Sequence, residues 1–285
     1  ILALRALPDR LAKRRGQGYQ LANGSGAVLQ DNHSLTGQPW LVVLHLQQFA
    51  GENRIYHALT LNVDDILSDW QTELSWQTHT FWDEKSGGFY TEQQLRFGQC
   101  VLAEKPAKLA LNAAQKQQAW LDYIRSKGLA CLSWSDAALQ LCQRIALLKQ
   151  HQPEAGWPDF SKSALQENLA DWLGPYLGTI SKSAALTQLP LYDALQQQLS
   201  YSQQQQLMQL LPTHWQAPTG SRVAINYCSE GGPRLSVRVQ EMYGQMSSPA
   251  VLHNQLNITV ELLSPSRQPL QVTQNLASFW QNAWQ

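Results

Sequence analysis

A basic run near the start of the chain carries the first candidate chemistry. Its cations are closely followed by an aromatic ring, in the order Arg10, Lys13, Arg14, Arg15 and Tyr19. Cations beside an aromatic ring are the combination that holds a phosphate backbone and stacks a nucleic-acid base. The alternative is a solvated linker, in which the same charges only keep the segment in water. The sequence leaves these two interpretations open.

A second group of cations lies in the last quarter of the chain and comprises Arg222, Arg234, Arg238 and Arg267. Arg222 and Arg238 fall in predicted strands, where they would extend a phosphate-binding surface. Acidic residues stand in or near the same strands, namely Glu230, Glu241 and Glu261. For this group we therefore favour structural ion pairs over contacts with nucleic acid.

The remaining reactive side chains indicate no active site. The seven histidines are dispersed, and none belongs to an H-E-x-x-H metal motif. The cysteines, which are Cys100, Cys131, Cys142 and Cys228, lack the C-x-x-C spacing of zinc and redox sites. The chain contains no Gly-Lys dipeptide, so it lacks the phosphate-binding loop of nucleotide hydrolases. We predict no catalytic residue, no metal ligand and no cofactor within this chain.

Composition limits the class of protein. The 285 residues are 44% hydrophobic and only 15% charged, and their formal net charge is zero. This length suits about two domains of ~150 residues each. A neutral chain is not expected to adhere strongly to nucleic acid as a whole, so any contact must come from a local patch. No apolar run approaches the ~20 residues of a membrane span, and scattered thiols fit a reducing compartment. We expect a cytoplasmic protein with no membrane partner.

The elements that would position these side chains change type along the chain. Residues 19–111 read as short strands around a hairpin turn at Asn23-Gly24, which predicts a small β barrel of the OB type. Apolar residues recur at helical spacing over residues 112–212 and predict a helical layer. Residues 213–285 return to strands before a terminal helix and predict a small α+β unit. The expected fold class is α+β, with several domains.

Finer signals assign the rest of the chain. Residues 1–18 are expected to form a linker or the end of a preceding helical domain. Residues 74–101 alternate polar with apolar side chains and predict a hairpin and one more strand of the barrel. Three helix starts are predicted from capping residues, at Asp64, Ser163 and Ser202.

Several strings are more specific than these patterns. They are Leu7-Pro8-Asp9-Arg10, Tyr19-Gln20-Leu21-Ala22-Asn23-Gly24, Pro39-Trp40-Leu41-Val42-Val43, Trp157-Pro158-Asp159, Pro218-Thr219-Gly220-Ser221-Arg222, Val237-Arg238-Val239-Gln240-Glu241-Met242-Tyr243-Gly244 and Asn275-Leu276-Ala277-Ser278-Phe279-Trp280. In this order they resemble the C-terminal half of the HrpB family of bacterial DEAH-box ATP-dependent RNA helicases. Any one string is a weak signal, but the ordered set spans nearly the whole chain.

The resemblance implies an accessory region of a longer protein, consisting of an OB fold and a family-specific C-terminal domain. The chain begins at Ile1 and stops inside a predicted helix, which fits a piece of such a protein. The resemblance places ATP and magnesium in motor domains outside this chain, which would act with it in cis.

On this view the region guides single-stranded RNA or DNA, through phosphate contacts and base stacking. The residues predicted to make these contacts are Arg14, Arg15, Tyr19, Asn23, Arg54, Arg222 and Arg238. The rival hypothesis is a protein-interaction or regulatory docking module that acts on the motor or on an unknown partner. Zero net charge and a high glutamine content favour that rival.

Overall fold

The structure is a computed structural model that describes residues 1–30, 33–107 and 110–282. The chain divides into two compact units, Ile1–Leu111 and Asn112–Gln285. No helix within the described residues is both long and apolar enough to cross a lipid bilayer.

The first unit is built mainly from strands. They are β1 (Leu11–Arg15), β2 (Gly18–Leu21), β3 (Gly26–Leu29), β4 (Trp40–Phe49), β5 (Glu52–Thr60), β6 (Trp76–Asp83), β7 (Gly88–Phe97) and β8 (Cys100–Pro106). Two short helices accompany them, α1 (Leu2–Ala6) and α2 (Val63–Asp69), with a 3-10 turn at Pro8–Arg10. The predicted start of α2 is off by two residues, because Asn62 rather than Asp64 supplies the cap, accepting from the Asp64 N–H at 3.2 Å.

A closed barrel of five strands forms the first part of this unit, in the order β1-β2-β3-β5-β4, and β4 pairs back with β1. All pairs are antiparallel except β3 with β5. The barrel interior holds small and branched side chains from every strand, including Ala12, Leu21, Ala27, Leu41 and Ile55. The predicted small barrel is confirmed, and its assignment to the OB type stays a prediction.

The barrel begins earlier than residue 19, because the basic run expected to be a linker forms β1. Ala12 is buried inside the barrel, whereas Leu11 is buried in a second core. Burial on both faces of β1 therefore replaces the polar–apolar alternation that would have marked it as a strand. The turn to β2 is tight, and Gly16 occupies it with a φ of +63°, a value that favours glycine.

The strands between residues 74 and 101 are not part of the barrel, contrary to the prediction. They form a separate antiparallel sheet in the order β6-β7-β8. The physical reason is closure: once β4 pairs with β1, the barrel has no free edge to accept another strand. The second core lies between the barrel wall and the elements around it. It contains Leu4 of α1, Leu11, Trp40, Val42, Ile66 of α2 and Cys100 of β8.

The second unit begins with helices. They are α3 (Ala113–Lys127), α4 (Asp136–His151), α5 (Lys162–Glu167), α6 (Leu169–Trp172), α7 (Gly174–Leu177), α8 (Leu191–Gln196) and α9 (Tyr201–Leu210), with 3-10 turns at Leu129–Cys131, Pro153–Ala155 and Ser183–Gln188. Asn112 and Gln115 form a capping box at the start of α3. The caps predicted at Ser163 and Ser202 are each displaced by two residues, because Ser161 and Ser200 accept the backbone N–H bonds.

The second unit continues as a five-stranded sheet in the order β15-β14-β11-β10-β9. Its strands are β9 (His214–Gln216), β10 (Arg222–Asn226), β11 (Arg234–Arg238), β14 (Thr259–Leu263) and β15 (Pro269–Thr273). A two-stranded sheet of β12 (Ala250–Val251) and β13 (Leu256–Asn257), a 3-10 turn at Val239–Met242 and helix α10 (Leu276–Asn282) complete it. Trp284, assigned to the terminal helix from sequence, lies outside the described residues.

Helices and sheet of the second unit share one compact body rather than separating at residue 212. Gln140 of α4 accepts a hydrogen bond from the Tyr227 N–H at 2.7 Å and donates to the Asn226 side chain at 2.8 Å. Tyr227 in turn donates its hydroxyl proton to the Pro212 carbonyl at 2.7 Å. These bonds tie the central helix to the end of β10.

Candidate nucleic-acid interface

Two turns of the barrel border one groove. The β1–β2 turn presents Arg15, and the β4–β5 turn is formed by Ala50 and Gly51, which both have positive φ values, +51° and +83°. The groove between them is lined by Arg15, Gly18, Tyr19, Gln20, Gly24, Gly26, Ala27, Val28, Ala50, Gly51, Glu52 and Asn53. The groove has a volume of about 750 Å³.

A second groove adjoins the first and shares Tyr19, Val28 and Glu52 with it. Arg14 and Arg54 line this second groove, together with residues of the segment that leads into β4, Thr36 and Gly37. The structure therefore brings together four of the residues predicted from sequence: Arg14, Arg15, Tyr19 and Arg54.

Arg14 and Arg15 stand at the exposed end of β1. Arg14 is oriented by two backbone carbonyls, donating from Nη1 to Gly37 at 3.2 Å and from Nε to Gly16 at 3.3 Å. Neither arginine forms an ion pair with any other described residue. Both charges are therefore uncompensated and accessible, as a contact with phosphate requires.

Tyr19 is held inside the barrel and cannot stack on a base as predicted. Its side chain is only 5% exposed, and its hydroxyl donates to the Gln38 carbonyl at 2.9 Å. Burial raises the pKa of Tyr19, and the nearby charge of Arg14 partly opposes that rise. Because its ring fills the barrel and its hydroxyl fixes the segment before β4, Tyr19 shapes the groove from below.

An exposed aromatic ring, Phe49, lies next to Ala50 at the edge of this surface, and sequence reasoning missed it. Phe49 is 56% exposed at the end of β4, and the guanidinium carbon of Arg54 lies 4.7 Å from its ring centroid. Arg54 also reaches Glu52, with 3.8 Å between Nε and Oε2. The signal available in the sequence was an aromatic residue directly before Ala50-Gly51, where a hairpin turn usually carries polar side chains.

Asn23 serves the β2–β3 turn. Its Oδ1 accepts bonds from the Ser25 N–H at 2.9 Å and the Ser25 hydroxyl at 2.7 Å, while Gly24 adopts a φ of +91°. The hairpin predicted from the Asn-Gly pair is present, but only Gly24 of the pair has a positive φ, so the turn is not the two-residue type that the pair favours. The exposed side chain of Asn23 adjoins the first groove through Gly24, so its first role is to shape the turn.

Arg222 and Arg238 belong to the second unit and form no part of the barrel surface. Arg222 is exposed on β10, and Arg238 is half-buried at the end of β11. The ion pairs favoured for them do not form with any described carboxylate. Instead, Glu241 and Glu261 accept hydrogen bonds from serines, Ser221 and Ser236 respectively. The two carboxylates are hydrogen-bonded by nearby serine hydroxyls instead of by the longer arginine side chains.

The described residues contain no group of three or more His, Cys, Asp or Glu side chains that could hold a metal ion. The four cysteines are free thiols. The side chains that line the two barrel grooves include the guanidinium groups of Arg14, Arg15 and Arg54, the carboxylate of Glu52 and the amide of Asn53.

Comparison with known proteins shows what this chain is similar to. Residues 172–285 match a family described as ATP-dependent helicase C-terminal, and residues 73–107 match the connector region of the ATP-dependent RNA helicase HrpB. The ATP-dependent RNA helicase HrpB of Escherichia coli (strain K12) is 36% identical over 283 residues, which is 98% of this chain. This chain corresponds to the C-terminal region of an HrpB-like ATP-dependent RNA helicase. It spans 35% of the length of that HrpB relative.

Solved structures of HrpB agree with this assignment. A crystal structure of the E. coli DExH-box NTPase HrpB matches with a TM-score of 0.64 and 35% identity, covering 99% of this chain and 35% of that one. A crystal structure of the Escherichia coli DEAH/RHA helicase HrpB matches with a TM-score of 0.61 and 34% identity, with the same coverage. The resemblance predicted from the ordered sequence strings is confirmed.

The two family matches correspond to different structural elements of this chain. The connector match, residues 73–107, contains the whole β6-β7-β8 sheet, which the sequence had assigned to the barrel. The C-terminal match begins at the last residue of α6 and covers the five-stranded sheet.

Proposed function

We propose that this region is an accessory element that guides single-stranded nucleic acid, RNA or DNA, for helicase motor domains acting in cis. The observation that carries the proposal is the convergence of Arg14, Arg15 and Arg54 on two adjoining barrel grooves beside the exposed ring of Phe49. In this proposal ATP and magnesium belong to the motor domains, and the region contributes a grip on the strand without catalysing a reaction.

The chemistry of the grip has two parts. Arg14 and Arg15 would neutralise phosphates, a contact that carries no sequence information and weakens as salt rises. Phe49 would stack on a base, which is tolerant of sequence because every base has a π face. In OB folds the loops after the first and fourth strands are the ones that bind oligonucleotides. Here the same two turns border the first groove.

Equilibrium binding tests this proposal. The full chain is titrated into a fluorescently labelled single-stranded RNA, and anisotropy is measured at about 50 mM and about 200 mM salt. Micromolar binding that weakens steeply with salt and is lost in the R14A/R15A double variant supports the grip. The matched control is R125A, which removes an exposed arginine from α3 in the other unit. Binding that is equally weak in R125A and R14A/R15A contradicts the proposal.

A second function, docking onto the motor domains, is favoured by the sheet of β6, β7 and β8, which we call the connector sheet because the connector match contains it. Trp76 and Tyr90 are exposed on β6 and β7, and Lys105 Nζ lies 4.1 Å from the Trp76 ring centroid. Exposed aromatic residues are enriched at protein interfaces. The W76A variant of the complete helicase tests this function through its ATPase rate. A changed rate with unchanged RNA affinity of the isolated chain supports docking, and an unchanged rate contradicts it.

The expected setting is the cytoplasm. The four cysteines are free thiols, which is the state that a reducing compartment maintains. Cell fractionation with an antibody against this region would test the location, and recovery of the protein in an oxidising compartment would contradict it.

A further inference from the structure

Arg144 is a charged side chain enclosed within the second unit. It lies on α4, is 4% exposed, and forms no ion pair with any described carboxylate. Its Nε donates to the Leu211 carbonyl at 2.8 Å and its Nη2 approaches the Leu207 carbonyl at 3.4 Å. Its other terminal nitrogen, Nη1, has no hydrogen-bond partner among the described residues. The guanidinium is thus anchored on one side and unbonded on the other.

The electrostatic balance around Arg144 is incomplete. The two carbonyls belong to the C-terminal end of α9, whose dipole stabilises a cation. The face of Tyr227 lies 6.0 Å from the guanidinium carbon and adds a weak attraction. Burial lowers the pKa of Arg144, but a guanidinium stays protonated in proteins. A buried charge of this kind is normally paired with an opposite charge, and no carboxylate of the described residues fills that role.

Two adjoining cavities meet at this guanidinium. They have volumes of about 340 Å³ and 330 Å³ and share Arg144, Tyr192, Thr213 and His214. Arg222 also lines the larger one. Neither cavity is lined by an aspartate or a glutamate among the described residues. Their volumes fall at the lower end of the range for small-molecule sites, about 300–1,000 Å³.

The strands at the cavity place further donors on one side. Ala224 pairs with His214 across β9 and β10, and Arg222 lies two residues before Ala224 on the same face. Arg222 and His214 therefore point to the same side of the two strands. The cavity thus combines a buried guanidinium, an exposed guanidinium, the hydroxyl of Tyr192, and a Thr213 hydroxyl that is hydrogen-bonded to Nδ1 of His214 at 3.0 Å.

We propose that this cavity binds the phosphate group of a small molecule between Arg144 and Arg222. Two guanidinium ions and hydroxyl donors suit a dianion with several acceptor oxygens better than a single carboxylate. The ligand is either free phosphate or a nucleoside monophosphate, which share this chemistry. The site lies in the second unit and is independent of the barrel grooves, so it stands or falls separately from the proposed strand grip.

Thermal unfolding of the full chain tests the site, because a ligand that binds only the folded state raises the Tm in a saturable way. The probes are inorganic phosphate, uridine 5′-monophosphate and uridine, at constant ionic strength adjusted with sodium chloride. We expect saturable rises with phosphate and with the monophosphate, and no rise with uridine. If the monophosphate saturates at lower concentration than phosphate, the ligand is a nucleotide; otherwise it is free phosphate.

Variants at the cavity locate the binding. R222A removes an exposed side chain and Y192F keeps the ring, so both should fold. We expect the phosphate concentration at half-saturation to rise about 10-fold in R222A, because the variant loses a charge-assisted hydrogen bond to the phosphate. In Y192F the same concentration should rise by a smaller factor. R125A, which removes an exposed arginine of the same unit, should leave it unchanged. No saturable rise with phosphate, or a midpoint equal in wild type, R222A and Y192F, would overturn the proposal.

Discussion

Arg14 and Arg15 of the first unit and Arg144 of the second unit lie in opposite settings. Arg14 and Arg15 of the barrel stand in solvent with no ion pair among the described residues, whereas Arg144 of the second unit is 4% exposed and bonded to helix carbonyls. An exposed guanidinium exchanges its water for a phosphate without disturbing the fold. A buried one is part of the fold, and only a ligand small enough to enter its cavity can reach it. Accessibility, more than the number of cations, therefore separates a surface suited to a strand from a cavity suited to a small anion.

The largest difference is expected in the free energy of unfolding, between a substitution of the buried Arg144 and one of the exposed Arg15. We expect R144A to lower the free energy of unfolding by about 2–4 kcal/mol, because the Leu211 carbonyl loses its donor and a cavity opens. R15A, at an exposed site, should stay within about 0.5 kcal/mol of wild type. Urea denaturation of both variants measures the contrast. An equal effect of the two substitutions would erase the distinction.

The next effect concerns the exposed ring of the barrel. F49A should weaken the affinity for single-stranded RNA by about 1–3 kcal/mol, the range for losing one stacked base. F49Y keeps an aromatic face and should retain most of the affinity. Anisotropy titrations of the three proteins provide the measurement. If F49A binds as tightly as wild type, the ring does not contact a base.

The charges of β1 should act through salt dependence. With both cations removed in R14A/R15A, the slope of log affinity against log salt should fall by about 1.4, since each phosphate contact contributes about 0.7 for a single strand. The free energy of unfolding should change little because both side chains are exposed. Titrations at four salt concentrations give the slope, and an unchanged slope would show that these arginines make no phosphate contact.

A substitution of Tyr19 tests whether this residue shapes the groove or contacts the nucleic-acid strand. Y19F removes the bond to the Gln38 carbonyl and should destabilise the chain by about 1 kcal/mol. RNA affinity should fall only slightly, because the buried ring remains in place. Parallel denaturation and binding measurements separate the two effects. A large loss of affinity without loss of stability would reverse the roles of Tyr19 and Phe49.

The smallest effect comes from an exposed ion pair, Lys149 with Asp159. The hydrogen bond from Lys149 holds the pKa of Asp159 at about 2, with further bonds from Ser161. The ion pair therefore stabilises the folded state at pH values above 3.8, the ordinary pKa of an aspartate. This stabilisation is lost as the pH falls through about 2. D159N should cost less than about 0.5 kcal/mol at pH 7, since solvent screens the pair.

Denaturation of D159N and wild type at pH 7 and near pH 2 tests this sign, and the difference should be smaller at the lower pH. A cost at pH 7 comparable to that of R144A would mean that exposed and buried charges contribute alike to this fold.

Local signals predicted much of the secondary structure. Asn23-Gly24 gave the β2–β3 turn, the apolar run after Trp40 gave β4, and the 3.6-residue period gave α3 and α4. Each of these depends on neighbours a few residues away. Features that depend on distant pairing were missed. The sequence could not show that β4 pairs with β1, which closes the barrel and leaves β6-β7-β8 as a separate sheet.

The candidate site was predicted in part, for the same reason. Arg14, Arg15 and Arg54 were found by charge, and they do converge on the grooves. Charge alone could not reveal which aromatic ring is exposed. Tyr19, which was expected to stack on a base, is buried, whereas Phe49 is exposed. Arg144 escaped notice because its partners, the carbonyls of α9, lie more than 60 residues away in sequence.

We expect the turns between β1 and β2 and between β4 and β5 to form one surface that binds a single strand. Hydrogen–deuterium exchange of the full chain, with and without a short single-stranded RNA, tests it most directly. Exchange should slow at residues 14–19 and 47–54 and stay unchanged within residues 112–282. Slowed exchange confined to the second unit or to the connector sheet, with both barrel turns unaffected, would contradict it.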